Sequence, residues 1–327
     1  MSKSNIQLVD ECDRFPYPDD NPASYKAHLE NYWEFKVNGC NAVLGHMLDA
    51  VVLRFNFPAN DWFVDYKNRT LTMLTSPTAT PAQRSAVIAK ALELAVQQDT
   101  FSVLRGWRNE LYPVYGPGGE FLLEMERAAS PLFGIVSYGV HATAYTKDAN
   151  GELRIWVPRR SQTKQTWPGM LDNSVAGGMS TGEMPFECLV REAMEEASLP
   201  EAIVRANAVP VGCVSYVYVR DSAAGGETDL VQPEVEYVFD IPLDAETIPK
   251  PCDSEVQEFN LFSIDECKAA LANGEFKPNC SVVLLDFFIR HGILTAENEP
   301  DYSTILARVH RRLEFPTRHL CDVAACL

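Results

Sequence analysis

The chain is 327 residues long, 46% hydrophobic and 22% charged, with a formal net charge of −17. That length supports two modest cores, and the acidic balance argues against nucleic acid or an anionic membrane surface as partner. No run of about 18 apolar residues occurs, so no membrane-spanning helix is expected. In chain order, VLRFNF (52–57), WFVDY (62–66) and TLTML (70–74) read as short strands. Thr80-Pro81 then caps and opens a helix through Gln98. Together these suggest a small α+β module over residues 1–130. Within it, GWRNELYPVY (106–115) is rich in Trp, Tyr and Arg, the types that anchor interfaces. It reads either as a cover for a neighbouring site or as a surface pairing two copies of the chain in a homodimer.

Further along, GIVSYGVHATAYT (134–146) and LRIWVPRR (153–160) read as strands leading into a loop and a helix from Pro185. Strands follow at VGCVSYVYVR (211–220), VEYVFDIPL (235–243) and EVQEFNLFS (255–263), then a helix from Ile264 to Leu271. Residues 280–291 and 302–314 read as terminal helices, the second lying in a helical tail over 296–327.

The most informative stretch is GGMSTGEMPFECLVREAMEEASL (177–199), with five carboxylates and one arginine between Glu183 and Glu196. On a helix, Glu192, Glu195 and Glu196 stand at i, i+3 and i+4 and project from one face. Phe186, Leu189, Val190, Ala193 and Ala197 form the adjoining apolar stripe. The like charges at i, i+4 cost roughly 0.2–0.5 kcal/mol, and they lie toward the helix end that disfavours negative charge. A hard divalent cation reverses both penalties; an anonymous acidic pair would more often be a solvated face.

Gly177, Glu183, Arg191, Glu192, Ala193, Glu195, Glu196 and Leu199 match, in register, the Nudix box G-x5-E-x7-R-E-U-x-E-E-x-G-U. Ser198 stands where that pattern has glycine. The resemblance implies an α/β/α sandwich with a mixed sheet over about 131–295, and hydrolysis of an organic diphosphate with Mg²⁺ or Mn²⁺. It further implies Glu192, Glu195, Glu196 and the Gly177 carbonyl as metal ligands. Glu183 and Arg191 are implied as the ion pair bracing loop against helix. LRGWRNELYPVYG (104–116), SPLFGIVSYGVHATAY (130–145) and IWVPRRSQTKQTWPGMLDNSVAGGM (155–179) are similar to Nudix hydrolases related to thiamine pyrophosphokinase. That likeness runs from about residue 15 to about 295 and implies a stand-alone module without the kinase. The implied substrate is thiamine diphosphate or its oxo- and oxy- forms, converted to monophosphates. Another diphosphate (ADP-ribose, a sugar nucleotide or coenzyme A) and a non-catalytic metabolite-binding module remain the alternatives.

A polyanionic substrate on an acidic protein needs local positive charge. Arg154, Arg159, Arg160 and Lys164 precede the box, and Arg159, Arg160 and Lys164 are the expected phosphate contacts. Trp156, Trp167, Tyr216, Tyr218, Tyr237 and Phe239 are candidate walls for a heterocycle. Most of them suit ordinary sheet packing, whereas Trp167, beside Pro168-Gly169 on the loop to the helix, is assigned to the site. The box does not determine the general base. Glu234, Glu236, Glu255 and Glu258 follow it, and Glu255 is the first choice. Asp172 and Asn173 read as turn formers and His141 as a packed histidine. Nine cysteines without a C-x2-C pair or His/Cys ligand spacing fit reduced thiols in the cytoplasm, with Cys188 a packing residue. The opening segment lacks both an apolar signal region and the character of a transit peptide.

Overall fold

The computed structural model describes residues 2–164, 166–252 and 254–318. The chain opens with α1 (Asn5–Cys12) and α2 (Pro22–Leu29), then β1 (Tyr32–Val37), β2 (Gly45–Leu48), α3 (Asp49–Arg54), β3 (Trp62–Asp65) and β4 (Thr70–Met73). These four strands form a mixed sheet in the order β2-β1-β4-β3, with β1 and β4 parallel. Helix α4 (Pro81–Gln97) covers it, and its start follows the expectation. Thr80 and Gln83 close a capping box in which the Gln83 amide donates to the Thr80 hydroxyl (3.3 Å). Ile88, Leu92 and Ala95 continue the buried stripe. A hairpin of β5 (Leu111–Tyr115) and β6 (Phe121–Glu126) and the short α5 (Ser130–Phe133) complete this core around Phe35, Phe101 and Phe133.

One expected strand is instead helical. Residues 49–54 of the run that includes VLRFNF form α3, with Val51 and Val52 buried side by side rather than on alternate faces. The Asp49 carboxylate anchors the turn by accepting from the Trp33 indole (2.8 Å) and from Arg69 (2.6 Å). A short apolar run carries no period long enough to separate the two structures.

The second sheet contains β7 (Ser137–Lys147), β8 (Leu153–Arg160), β9 (Val175–Gly178), β10 (Val209–Val219), β11 (Val231–Pro242) and β12 (Val256–Ser263). Its order is β10-β11-β7-β8-β12 with β9 also on β7, and β11 and β7 run parallel. Helices α6 (Pro185–Ala197) and α7 (Glu201–Asn207) cover one face, packing Leu189, Val190 and Ala193 on Val140, Ala142 and Phe239. Helices α8 (Ile264–Ala272), α9 (Pro278–Arg290) and α10 (Tyr302–Arg308) cover the other with Leu284, Phe287 and Ile305, so the expected α/β/α sandwich forms. The first helix joins this second layer: Leu8, Val9 and Cys12 of α1 pack with α9, and Lys3 N–H donates to the Ala272 carbonyl.

The last expected helix (302–314) is shorter, ending at Arg308. Residues 309–311 instead run alongside β10, where Ser215 N–H donates to Val309 O and Arg311 N–H to Ser215 O (both 3.1 Å). The buried Arg311 guanidinium fastens this turn-away through Asp13 (2.9 Å) and the Phe15 carbonyl (2.5 Å). Residues 319–327 of the tail, with Cys321 and Cys326, lie outside the described residues. Among the described residues seven cysteines are free, and no helix is long and apolar enough to cross a membrane.

Strands β7 and β8 pair only at Tyr145–Lys147 and then splay, and β9 takes over the edge of β7. The loop 161–174 enters the gap, held where Arg160 N–H donates to Met170 O and Asp172 N–H to Pro158 O. This opening creates the cavity that holds the candidate site.

Candidate active site

The turn from β9 to α6 carries Gly177 to Met184, and Pro185 stands at the first helical position, where a missing N–H costs nothing. Arg191 reaches back to Glu183 through two hydrogen bonds (2.9 and 3.1 Å) and donates to the Gly178 carbonyl (3.4 Å). The pair therefore ties helix to loop, and the Glu183 carboxylate also accepts from Ser180 N–H (3.2 Å). At the far end Ser198 adopts the left-handed conformation (φ +52°), with Leu199 N–H donating to Ala193 O.

Three box carboxylates and the Gly177 backbone face one cavity of about 560 Å³. Glu192 lies so close to Gly177 that a Cβ there would fall 1.9 Å from its carboxyl carbon. Glu192 accepts from Arg191 (2.7 Å), Glu196 accepts from Ala176 N–H (3.0 Å), and the more exposed Glu195 lies 3.2 Å from Arg191. Burial pushes the carboxyl groups of Glu192 and Glu196 above the usual range, and negative neighbours raise both further. Among the described residues no three acidic, His or Cys side chains are already closed around a point. The donor set is nevertheless one of hard oxygens with excess negative charge, held against a glycine where any side chain would displace the Glu192 carboxylate, and this suits a divalent cation.

The structure sorts the other expected site residues. Lys164, Arg160, Trp167 and Glu255 line the cavity. Lys164 is paired with Glu255; burial pushes the Glu255 carboxyl up, but the Lys164 ammonium outweighs it and holds the group below its ordinary value. Arg160 is buried and committed to the loop, binding Asp172 (2.5 Å) and the carbonyls of Trp167 (3.1 Å) and Thr166 (3.0 Å). Arg159 does not reach the cavity. It points the other way, donating to Gly169 O (2.8 Å) between Glu258 and Glu275, because adjacent residues of β8 face opposite sides. Trp167, itself at positive φ (+45°), is fixed by its N–H to Ala223 O, with Lys277 Nζ 5.2 Å from its ring centroid. Trp156, Tyr237 and Phe239 belong to the sheet core.

Two groups that the sequence analysis offered only in part, the later-strand acids and the first-module segment GWRNELYPVY, line the cavity. Asp172 is a buried ion-pair partner as well as a loop residue; burial opposes its ionisation, but Arg160 and Lys277 outweigh that and hold the carboxyl well below its usual range. His141 is buried on β7 with Nδ1 2.7 Å from Asn173 Oδ1 and Nε2 3.7 Å from Glu236. Burial lowers its pKa, but the Glu236 carboxylate wins and raises it. Glu234 and Glu236, two residues apart on β11, put both carboxylates on the same face, with Glu236 buried. That spacing was the available signal. The other group comes from the first module, where Arg108, Tyr112 and Arg127 line the same cavity. The second module secures them: Glu227 accepts from Ser102 and Val103 N–H (2.7 and 3.0 Å), and Thr181 N–H donates to Leu111 O.

Comparison with known proteins shows what the two parts of the chain are similar to. Residues 7–137 match a domain of unknown function (DUF4743), and residues 137–280 match the NUDIX domain. The uncharacterized protein YJR142W of Saccharomyces cerevisiae is 45% identical over 225 residues, which is 67% of this chain and 66% of that protein. Nudix hydrolase 20, chloroplastic, of Arabidopsis thaliana is 34% identical over 71% of this chain and 59% of its own length. The chain thus spans less than two thirds of the length of these relatives. The crystal structure of DR0079 from Deinococcus radiodurans is similar at 23% identity and a TM-score of 0.37, over 51% of this chain and 91% of that one. The chain thus matches the NUDIX domain over residues 137–280, behind a match to a domain of unknown function, and is similar to relatives that include a Nudix hydrolase.

Proposed function

We propose that this protein is a metal-dependent diphosphate hydrolase that cleaves one phosphoric anhydride bond with water. We further propose thiamine diphosphate and its oxo- and oxy- analogues as substrates, released as organic monophosphates. The observation that carries the hydrolase reading is the crowding of Glu192, Glu195 and Glu196 around Gly177 on one wall of a cavity that also holds Lys164 and Arg108. A bound Mg²⁺ or Mn²⁺ would supply Lewis-acid stabilisation of the diphosphate and lower the pKa of water. The protein's own share is positioning. Glu192, Glu195, Glu196 and the Gly177 carbonyl hold the metal, while the Glu183–Arg191 pair keeps the loop against α6.

In this reading Lys164 and Arg108 face the phosphates, and Arg160 acts by fixing the loop that carries Trp167. Glu255, held ionised by Lys164, orients that lysine, so its assignment as general base gives way to a positioning role. The first module closes the cavity with Arg108, Tyr112 and Arg127 and shapes specificity. The thiamine assignment rests on the sequence likeness and on a cavity whose volume of about 560 Å³ suits a two-ring ligand with an indole wall. The free thiols favour a reducing compartment, and we place the protein in the cytoplasm, although Nudix hydrolase 20 is named chloroplastic.

The test is product analysis by chromatography. Full-length protein with Mg²⁺ is offered thiamine, oxothiamine and oxythiamine diphosphates beside ADP-ribose and a sugar nucleotide. Selective formation of the thiamine-series monophosphates is expected. Preference for a nucleotide would overturn the substrate assignment, and absence of turnover on all five would overturn the hydrolase.

A further inference from the structure

We infer that Glu236, with Glu234 beside it, forms a subsite that recognises a nitrogen-borne hydrogen-bond donor, an amino group or ring N–H, on the organic half of the substrate. This rests on the diphosphate hydrolase reading above.

The two acids follow from strand geometry. Residues 234 and 236 of β11 lie on one face, in register with Ser137 and Gly139 of β7. The absence of a side chain at 139 makes room: a Cβ there would sit 2.2 Å from Glu236 Oε2. The same point is 2.9 Å from the Gly177 carbonyl oxygen, so this notch adjoins the loop where the diphosphate would lie. An organic group attached to that diphosphate is therefore within reach of the carboxylate.

The hydrogen bonds show what the notch lacks. Glu234 is satisfied, accepting from the Tyr216 hydroxyl (2.5 Å), Gln232 (3.3 Å) and Ser137 (3.4 Å). Glu236 Oε1 has Tyr216 at 3.1 Å and His141 Nε2 at 3.7 Å. Glu236 Oε2 has no hydrogen-bond partner among the described residues, although the residue is only 7% exposed and lines the cavity. A buried carboxylate oxygen left unpaired is unfavourable, so the fold retains a feature whose natural complement is a donor. A phosphate or carbonyl brought there would meet repulsion, and a simple hydrocarbon would leave the oxygen unserved. Trp167 on the same cavity offers a ring face alongside.

The experiment uses the full chain with Mg²⁺ and two substrates, thiamine diphosphate and isopentenyl diphosphate, which lacks any N–H donor. Glu236→Gln keeps the volume and removes the charge. It is expected to raise KM for thiamine diphosphate about tenfold, with kcat within about threefold, and to leave KM for isopentenyl diphosphate unchanged. Calorimetry with thiamine itself, which carries no phosphate, should show binding to the metal-free wild type and about tenfold weaker binding to Glu236→Gln. A thiamine analogue without its amino group should bind the wild type about tenfold more weakly, a comparison that needs no variant. Equal KM increases for both substrates would overturn the subsite. So would a raised Mg²⁺ requirement with unchanged discrimination, which would make Glu236 a metal ligand. Failure of the wild type to hydrolyse either diphosphate would overturn the hydrolase reading alone, because thiamine binding still reports on the subsite.

Discussion

Glu196→Gln separates the cost of the acidic cluster from its use. The carboxylate sits one helical turn from Glu192, and among the described residues its one hydrogen bond is from Ala176 N–H (3.0 Å), which a glutamine oxygen can equally accept. Without metal, the change removes a like-charge pair worth roughly 0.2–0.5 kcal/mol. It also removes the penalty of an under-compensated buried charge, about 1–3 kcal/mol. The metal-free variant should therefore be more stable than the wild type by about 1–3 kcal/mol, a rise of several degrees in Tm. Its turnover should fall in the opposite sense. Losing a ligand forfeits several kcal/mol of transition-state stabilisation, and each 1.36 kcal/mol is tenfold in rate, so a loss of two to three orders of magnitude is expected. Thermal melts in chelator and in Mg²⁺, paired with initial rates, read both effects. Mg²⁺ should raise the wild-type Tm and leave the variant nearly unmoved. A variant no more stable than the wild type without metal, turning over within threefold of it, would refute the reasoning.

Two further outcomes concern the fold. Ser198 holds a left-handed conformation at the end of α6, so Ser198→Gly should stabilise the protein by about 1 kcal/mol without changing turnover. A melt showing no rise would mean that the hydroxyl compensates the strain. His46 is buried between Phe15 and Phe315, and burial lowers its pKa to about 4. A depressed histidine is protonated more readily when unfolded, so its contribution is complete above about pH 6.5 and is lost as pH falls toward 4. The loss is at most about 3 kcal/mol. Denaturant titrations across that range should fall less steeply in His46→Asn than in the wild type, and parallel slopes would refute the assignment.

Local signals were legible where one element carried them alone. The capping box at Thr80, the proline entry and apolar stripe of α6, and the left-handed turn at Ser198 are all set by neighbours within a few residues. The placement of Glu192, Glu195 and Glu196 on one face follows from 3.6 residues per turn and needs no partner element. The run at 52–57 was illegible for the opposite reason, since Asp49 is captured by Trp33 and Arg69 from other segments. Arg159 and Arg160 make the same point within the site. Adjacent in sequence and alike in charge, they point to opposite faces, and only β8's pairing decides which one meets the cavity. So the sequence by itself determined the acidic helix and the loop that feeds it, because short-range geometry and apolar periodicity encode them, while the sandwich was implied only by the resemblance of the box and its flanking segments. Only the tertiary structure decided that the splayed ends of β7 and β8 open a cavity, that Glu236 occupies the notch at Gly139, and that Arg108 arrives from the first module. The Glu236–Gly139 contact joins residues about a hundred positions apart, and no local pattern records a distance that the folded chain alone brings within reach.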